Sequence, residues 1–150
     1  MHVEMTCVEE MYAGPEYPAL LAEFVEYKDK SVYSLKTKYL LSPRAREEFH
    51  RLEQLGFMTL FRAMHEGKLI GIISVVDLRI MDNTAMIESL YVLKAYRKTG
   101  AANALVRAAK EFCKTQGMGG VIFTATPDTA LDKALSRKNR LLSKTYYVEL

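Results

Sequence analysis

Apolar positions change their period several times along the chain, and each change marks an element. Residues 3–8 (VEMTCV) alternate loosely, as a strand does, and Gly14-Pro15 breaks the run. From Tyr17 the spacing turns helical: Leu20, Phe24 and Tyr27 form a stripe, Leu21 and Val25 flank it, and Glu23 and Glu26 fall off it. Residues 28–38 are polar and irregular and read as a loop. Ser42-Pro43 is a helix start, a serine N-cap followed by proline at the first helical position. Ala45, Phe49 and Leu52 recur behind it until Gly56, with His50 on the polar side. Residues 57–65 and 68–80 read as two strands joined by a tight Glu66-Gly67 hairpin.

The second strand of that hairpin is apolar on both alternating sets, Ile70, Ile72, Val76, Leu78 and Ile80 against Leu69, Ile73 and Val75. A strand of this kind is central and covered on both sides. Asp82-Asn83 turns the chain into a strand over 84–92. After Gly100 a helix follows, with rows Ala101, Leu105, Ala108, Phe112 and Ala102, Val106, Ala109, Cys113 on its apolar side. Glycines 117, 119 and 120 end it. Residues 121–125 form a short strand, Thr126-Pro127-Asp128 opens a helix to about residue 138, and 142–150 close the chain as a tyrosine-rich strand. The expected order is β-α-α-β-β-β-α-β-α-β in one domain over 1–150, an α/β fold with a mixed sheet. Three successive strands predict an antiparallel meander, and the strand-helix-strand unit around Gly100 predicts a parallel pair with a right-handed crossover.

The stretch that carries chemistry is IESLYV (87–92) running into RKTGAAN (97–103). A strand ends in a short basic loop and a glycine opens a helix. A helix N-terminus offers unpaired N–H donors and a partial positive charge, which suits phosphate. Gly100 permits close approach, Ala101 and Ala102 leave the first turn uncrowded, and Arg97 and Lys98 add charge. The glycines needed for a P-loop or a dinucleotide-binding turn are missing. The stretch does match R-x-x-G-x-A, as Arg97, Gly100 and Ala102.

That motif, in that place, resembles the acetyl-CoA pyrophosphate loop of the GNAT N-acetyltransferase superfamily, and the mixed order of elements resembles the GNAT fold over nearly the whole chain. The PEYPALLAEF segment is also similar to GNAT proteins carried by tailed phages and prophages. The resemblance implies acetyl-CoA as co-substrate. It would be held by backbone groups of Leu90, Tyr91 and Val92 and by Arg97, Lys98, Thr99, Gly100, Ala101, Ala102 and Asn103. It also implies an amine acceptor, which polyamines, peptide N-termini, protein lysines and aminoglycosides all satisfy. Glu88 is the expected general base. On a regular strand it shares a face with Met86, Leu90 and Val92, and apolar surroundings make a carboxylate a better proton acceptor. Its spacing to Val92 resembles the E-x-x-x-V of spermidine/spermine acetyltransferases. The general acid departs from the pattern: Ser136 stands where GNAT enzymes often carry a tyrosine, and Arg140 where they carry a glycine.

Composition narrows this reading without redirecting it. The 150 residues, 49% apolar and 26% charged, suffice for one core. The N-terminus has no basic region followed by an apolar run, so no signal peptide, no membrane span and a cytoplasmic location are expected. Cys7 and Cys113 form neither a metal motif nor a disulfide framework, and Cys113 is expected in the core. Net charge is +3, with Lys133, Arg137, Lys138, Arg140 and Lys144 concentrating basic groups near the C-terminus. That favours an anionic ligand. Nucleic acid is not expected, since aromatics are not interleaved with those residues. No metal is implied, and a homodimer is left open. The alternative to an enzyme is a GNAT-fold protein of weak or lost activity, serving as a virion or scaffold component or as an acyl-CoA-binding protein.

Overall fold

The computed structural model describes residues 1–29, 42–78, 83–125, 130–137 and 139. Its elements are β1 (His2–Thr6), α1 (Val8–Ala13), α2 (Tyr17–Asp29), α3 (Pro43–Gln54), β2 (Met58–His65), β3 (Lys68–Leu78), β4 (Thr84–Val92), a 3-10 turn (Lys94–Tyr96), α4 (Ala101–Thr115), β5 (Gly120–Phe123) and α5 (Ala130–Ser136). The strands form one sheet in the order β1-β2-β3-β4-β5. Neighbours are antiparallel except β4 and β5, which run parallel across the α4 connection. The mixed sheet, the meander and the parallel pair follow the sequence expectation. The expected strand at 142–150 and the Thr126-Pro127-Asp128 helix start lie outside the described residues.

Helix α1 is an addition to the expected order. A loosely alternating stretch was expected to continue as strand through residue 8, yet the strand stops at Thr6 and Val8–Ala13 turns helical. One local cap and one tertiary contact hold its start. Cys7 Sγ accepts from the Glu10 N–H at 3.4 Å, and the Glu53 carboxylate of α3 accepts from the Val8 N–H at 3.0 and 3.2 Å. A helix of six residues is marginal alone, and this one has two of its first donors satisfied, one by the local Cys7 cap and one by a distant carboxylate. The start of α3, by contrast, is local: Ser42 Oγ accepts from the Ala45 N–H at 3.2 Å and proline occupies the first turn.

Two layers sandwich the sheet. On one face α4 lays Ala101, Leu105, Ala109 and Cys113 onto Phe61, Ala63, Ile70, Ile73, Val75, Ala85, Ile87 and Val92. The buried row thus steps by four residues, and Ala102, expected beside it, is exposed. Small side chains let the helix sit close to the strands, while Leu105, with no exposed surface, contributes about 1.5–3 kcal/mol by burial. Cys113 is in this core as expected, and burial raises its thiol above the ordinary range. On the other face α1 and α2 bring Val8, Met11, Tyr17, Leu20, Leu21 and Phe24 against Met58, Leu60, Leu69, Ile72 and Tyr91. The Tyr27 side chain lies outside the described residues.

The alternation of β3 is shifted. Ile70 and Ile72 were expected on one face, with Leu69, Ile73 and Val75 on the other. Ala63 pairs with Gly71 and Met64 with Leu69, so Ile70 is an extra residue in the ladder. This bulge exchanges the faces: Ile70, Ile73 and Val75 pack under α4, and Leu69 and Ile72 under α1 and α2. The hairpin before it is as expected, with Glu66 and Gly67 both at positive φ (51° and 75°), as a type I′ turn requires.

Candidate cofactor and active site

The site forms where β4 and β5 part. Pairing between them runs from Thr84–Gly120 to Ile87–Phe123 and ends there among the described residues. Beyond Ile87, the described pairing of β4 is with β3, through Ser89–Ser74, Leu90–Ile73, Tyr91–Ile72 and Val92–Gly71. A strand that loses one neighbour presents peptide groups to whatever lies in the cleft.

The parting coincides with a second bulge. Val75 pairs with Ile87 and Ser74 with Ser89, leaving Glu88 without an opposite residue on β3. The Ser74 hydroxyl is built into this irregularity. It accepts from the Ser89 N–H at 3.0 Å and lies 2.7 Å from Ser89 Oγ. The bulge overturns the expected surroundings of Glu88. Ala85 and Ile87 before it, and Leu90 and Val92 after it, all join the α4 layer, so the alternation changes phase at residue 88. Glu88 therefore does not share a face with Met86, Leu90 and Val92. It is exposed, in the position where bulges commonly re-aim a side chain beside a site.

Gly71 permits the close approach of β4 at this point. A Cβ there would lie 2.9 Å from Tyr91 O and 3.2 Å from a Leu105 methyl. An isolated glycine in a strand pattern is a recognised sign of close backbone approach, and it is the signal that marks Gly71 in the sequence.

From Val92 the chain turns through Lys94–Tyr96 into the basic loop. Lys98 and Gly100 both adopt left-handed backbone, at φ 74° and 89°. Such positions turn successive N–H groups into anion-binding concavities, and glycine adopts them without the Cβ penalty. Thr99 Oγ1 donates to Tyr96 O at 2.7 Å and tightens the turn. Gly100 is the N-cap of α4, and no side chain caps the helix. The Ala104 N–H makes the first intrahelical bond, to Gly100 O at 3.0 Å. Ala101, Ala102 and Asn103 thus supply first-turn N–H groups with no acceptor in the helix, at the positive end of a four-turn dipole. Ala102, Asn103, Lys98 and Thr99 are exposed, and Ala101 is buried against the sheet.

Arg97 sits differently from expectation. Its guanidinium turns back: Nε donates to Val92 O at 3.3 Å, Nη2 donates to Tyr91 Oη at 3.2 Å, and the group lies over the Tyr91 ring at 5.4 Å. Tyr91, expected to act through its backbone, also has a placed side chain, which donates to Glu23 Oε1 of α2 at 2.8 Å. Burial first, and then the Glu23 carboxylate, push its phenol up to about 12. Glu23 carried no signal in the sequence beyond its position off the apolar stripe.

Ser136 is exposed at the end of α5, with Oγ 3.3 Å from Lys133 O. Arg140, Lys138 and Lys144 lie outside the described residues. Among the described residues no three His, Cys, Asp or Glu side chains gather as a metal ion requires. No described helix is long and apolar enough to cross a membrane.

A mixed sheet that opens between two parallel strands, with its open strand leading into an uncapped helix, defines an acyltransferase fold of the α/β class. The sequence model of the acetyltransferase (GNAT) family matches residues 24–136, and the chain belongs to that family. Solved structures agree on the fold. An aminoglycoside acetyltransferase from an uncultured soil metagenomic sample, in complex with sisomicin, superposes with a TM-score of 0.71 at 21% identity, covering 99% of this chain and 95% of its own. A ribosomal-protein-alanine N-acetyltransferase from Brucella melitensis biovar Abortus 2308 gives 0.66 at 16% identity, over 99% and 96%. An aminoglycoside N-acetyltransferase in complex with CoA gives 0.64 at 14%, over 99% and 96%. No curated protein sequence matches the chain.

Proposed function

We propose that the protein transfers an acetyl group from acetyl-CoA to a primary amine by direct attack. The observation that carries this reading is the open edge of β4 running, through a loop with two left-handed positions, into the uncapped N-terminus of α4. The pantetheine arm, itself an amide chain, would pair along Leu90–Val92 as a further strand does. The pyrophosphate would meet the N–H groups of Gly100–Asn103, with Lys98 and Thr99 at the mouth. Arg97 would serve from behind, holding the loop against the end of β4.

The thioester supplies the activated acetyl group. The chain must place its carbonyl beside the amine, take a proton from the attacking nitrogen and leave no competing nucleophile in reach. Glu88 fits the second task by position: it is the extra residue at the mouth of the parting, and its exposure lets an incoming ammonium or a bridging water reach it. We assign no general acid. Ser136 in the usual tyrosine position supports a second reading, a GNAT-fold protein that binds acetyl-CoA and turns it over weakly or not at all, as an acyl-CoA-binding or scaffold component.

Acetyl-CoA at 100 times its dissociation constant is expected to stabilise the chain by about 2.7 kcal/mol, read as a rise in melting temperature. Consumption is then measured with aminoglycosides, polyamines and peptides bearing N-terminal alanine or internal lysine. No thermal shift at millimolar acetyl-CoA defeats both readings. A shift without turnover on any amine selects the second.

A further inference from the structure

Glu23, Tyr91 and Arg97 form a continuous chain of hydrogen bonds across the layers of the fold. Glu23 is half-buried on α2, on the face of the sheet opposite α4. Its Oε1 accepts twice, from Tyr91 Oη at 2.8 Å and from the backbone N–H of Lys94 at 2.6 Å. The second bond holds a peptide group just past the end of β4. Tyr91, 4% exposed, is wedged against Phe24 of the same helix at 5.1 Å between ring centroids. Its hydroxyl donates to Glu23 and accepts from Arg97, whose Nε holds Val92 O.

Each polar group here has one consistent role. A phenol carries a single proton, and with the carboxylate on one side and the guanidinium on the other only one direction of donation satisfies both. Burial and Glu23 keep that phenol protonated across the ordinary pH range. Both ends of the chain are charged, which strengthens the bonds to them. The result is that three consecutive features, the last carbonyl of β4, the first N–H of the 3-10 turn and the side chain of Arg97, are fixed by side chains rather than by a neighbouring strand.

We propose that Glu23 is a positioning residue for the loop 94–100: through Tyr91 and the Lys94 N–H it sets the angle at which β4 enters the turn that aims the first N–H groups of α4. The inference rests on the acetyl-CoA reading only for the ligand. The ordering of the loop is a separate observable. It also places the control of the cofactor loop on α2, a helix of the opposite layer.

The test uses the full chain and three variants, Glu23→Ala, Glu23→Gln and Tyr91→Phe. Hydrogen exchange at the amides of 93–103 is measured without ligand, and acetyl-CoA affinity by calorimetry. Glu23→Ala is expected to speed exchange at 94–100 and to weaken acetyl-CoA, each about tenfold, the scale of one lost charged hydrogen bond. Glu23→Gln should restore most of both, since the amide oxygen still accepts. Tyr91→Phe should fall between. Should Glu23→Ala fail to fold, Tyr91→Phe, which removes one oxygen and leaves the ring, carries the same comparison. Parental loop exchange in Glu23→Ala overturns the inference, as does a Glu23→Gln variant that behaves like the alanine one. If the parent binds no acetyl-CoA, the proposed function falls and the exchange result alone decides the role of Glu23.

Discussion

The two halves of β4 are built on different terms. From Thr84 to Ile87 the strand has β3 on one side and β5 on the other, and Ala85 and Ile87 are buried under α4. From Ser89 to Val92 it pairs with β3, and the rest of its fixing comes from side chains: Ser74 at the bulge, Glu23 at Tyr91, Arg97 at Val92. The ladder in the first half is repetitive and shields its own peptide groups. In the second half one side has no partner strand among the described residues. Sheet edges normally lie at the rim, where proteins blunt them against unwanted pairing. Here the edge lies between two strands of the sheet, beside the uncapped start of α4. On the proposed function, stability and recognition are divided along a single strand, with residue 88 as the boundary.

Substitutions on either side of that boundary should separate the two roles. The largest effect is expected from Glu88→Gln. If Glu88 is the base, turnover falls by about 10²–10⁴-fold, the range for a positioned proton acceptor. Because the side chain is exposed, unfolding free energy should stay within about 0.5 kcal/mol of the parent and acetyl-CoA affinity should hold. An acceptor of high amine pKa, assayed at pH 6–7, makes the measurement hardest to pass, and near-parental turnover there would remove Glu88 from the mechanism.

One residue earlier the pattern should invert. Ile87→Ala empties a site in the α4 layer and is expected to cost about 2–5 kcal/mol in denaturant unfolding. The surviving folded fraction should keep its turnover. Equal losses of stability and specific turnover at both positions would erase the division. The smallest effect is expected past the end of β4, at the N-cap of α4. Gly100→Val places a side chain where φ is 89° with nothing within 4 Å of the new Cβ, so the cost is backbone strain of about 1–3 kcal/mol and not a clash. The fold should persist while acetyl-CoA affinity drops. Unchanged affinity would move the phosphate site elsewhere.

What could be read beforehand depended on whether its cause was local. Ser42-Pro43 writes its helix start in adjacent residues, and Glu66-Gly67 writes its turn in two. Most of the apolar face of α4 was legible because its period is that of the helix itself, and the helix start at Gly100 because a glycine writes it locally. The misses share a different origin. Helix α1 draws one of its caps from Glu53, 45 residues away from Val8. The contact of Glu23 with Tyr91 spans 68 residues. Both bulges are properties of a strand pair, invisible in either strand alone. They account for the two wrong face assignments, at Ile70 and at Glu88.

The Glu88 bulge also sets what kind of sequence change the site can absorb. Replacing the residue alters one side chain. Removing it would make Val75–Ile87 and Ser74–Ser89 successive pairs of an unbroken ladder, with Tyr91 and Val92 keeping their faces and the irregularity at the parting lost. Adding one residue to the regular ladder past Ser89 would instead turn the rest of the strand over, swinging Tyr91 toward Leu105 and Val92 toward the layer of Glu23. What counts here is the direction of the change: losing the extra residue removes the bulge and leaves both layers packed, while adding one beyond it exchanges the faces that the two layers need.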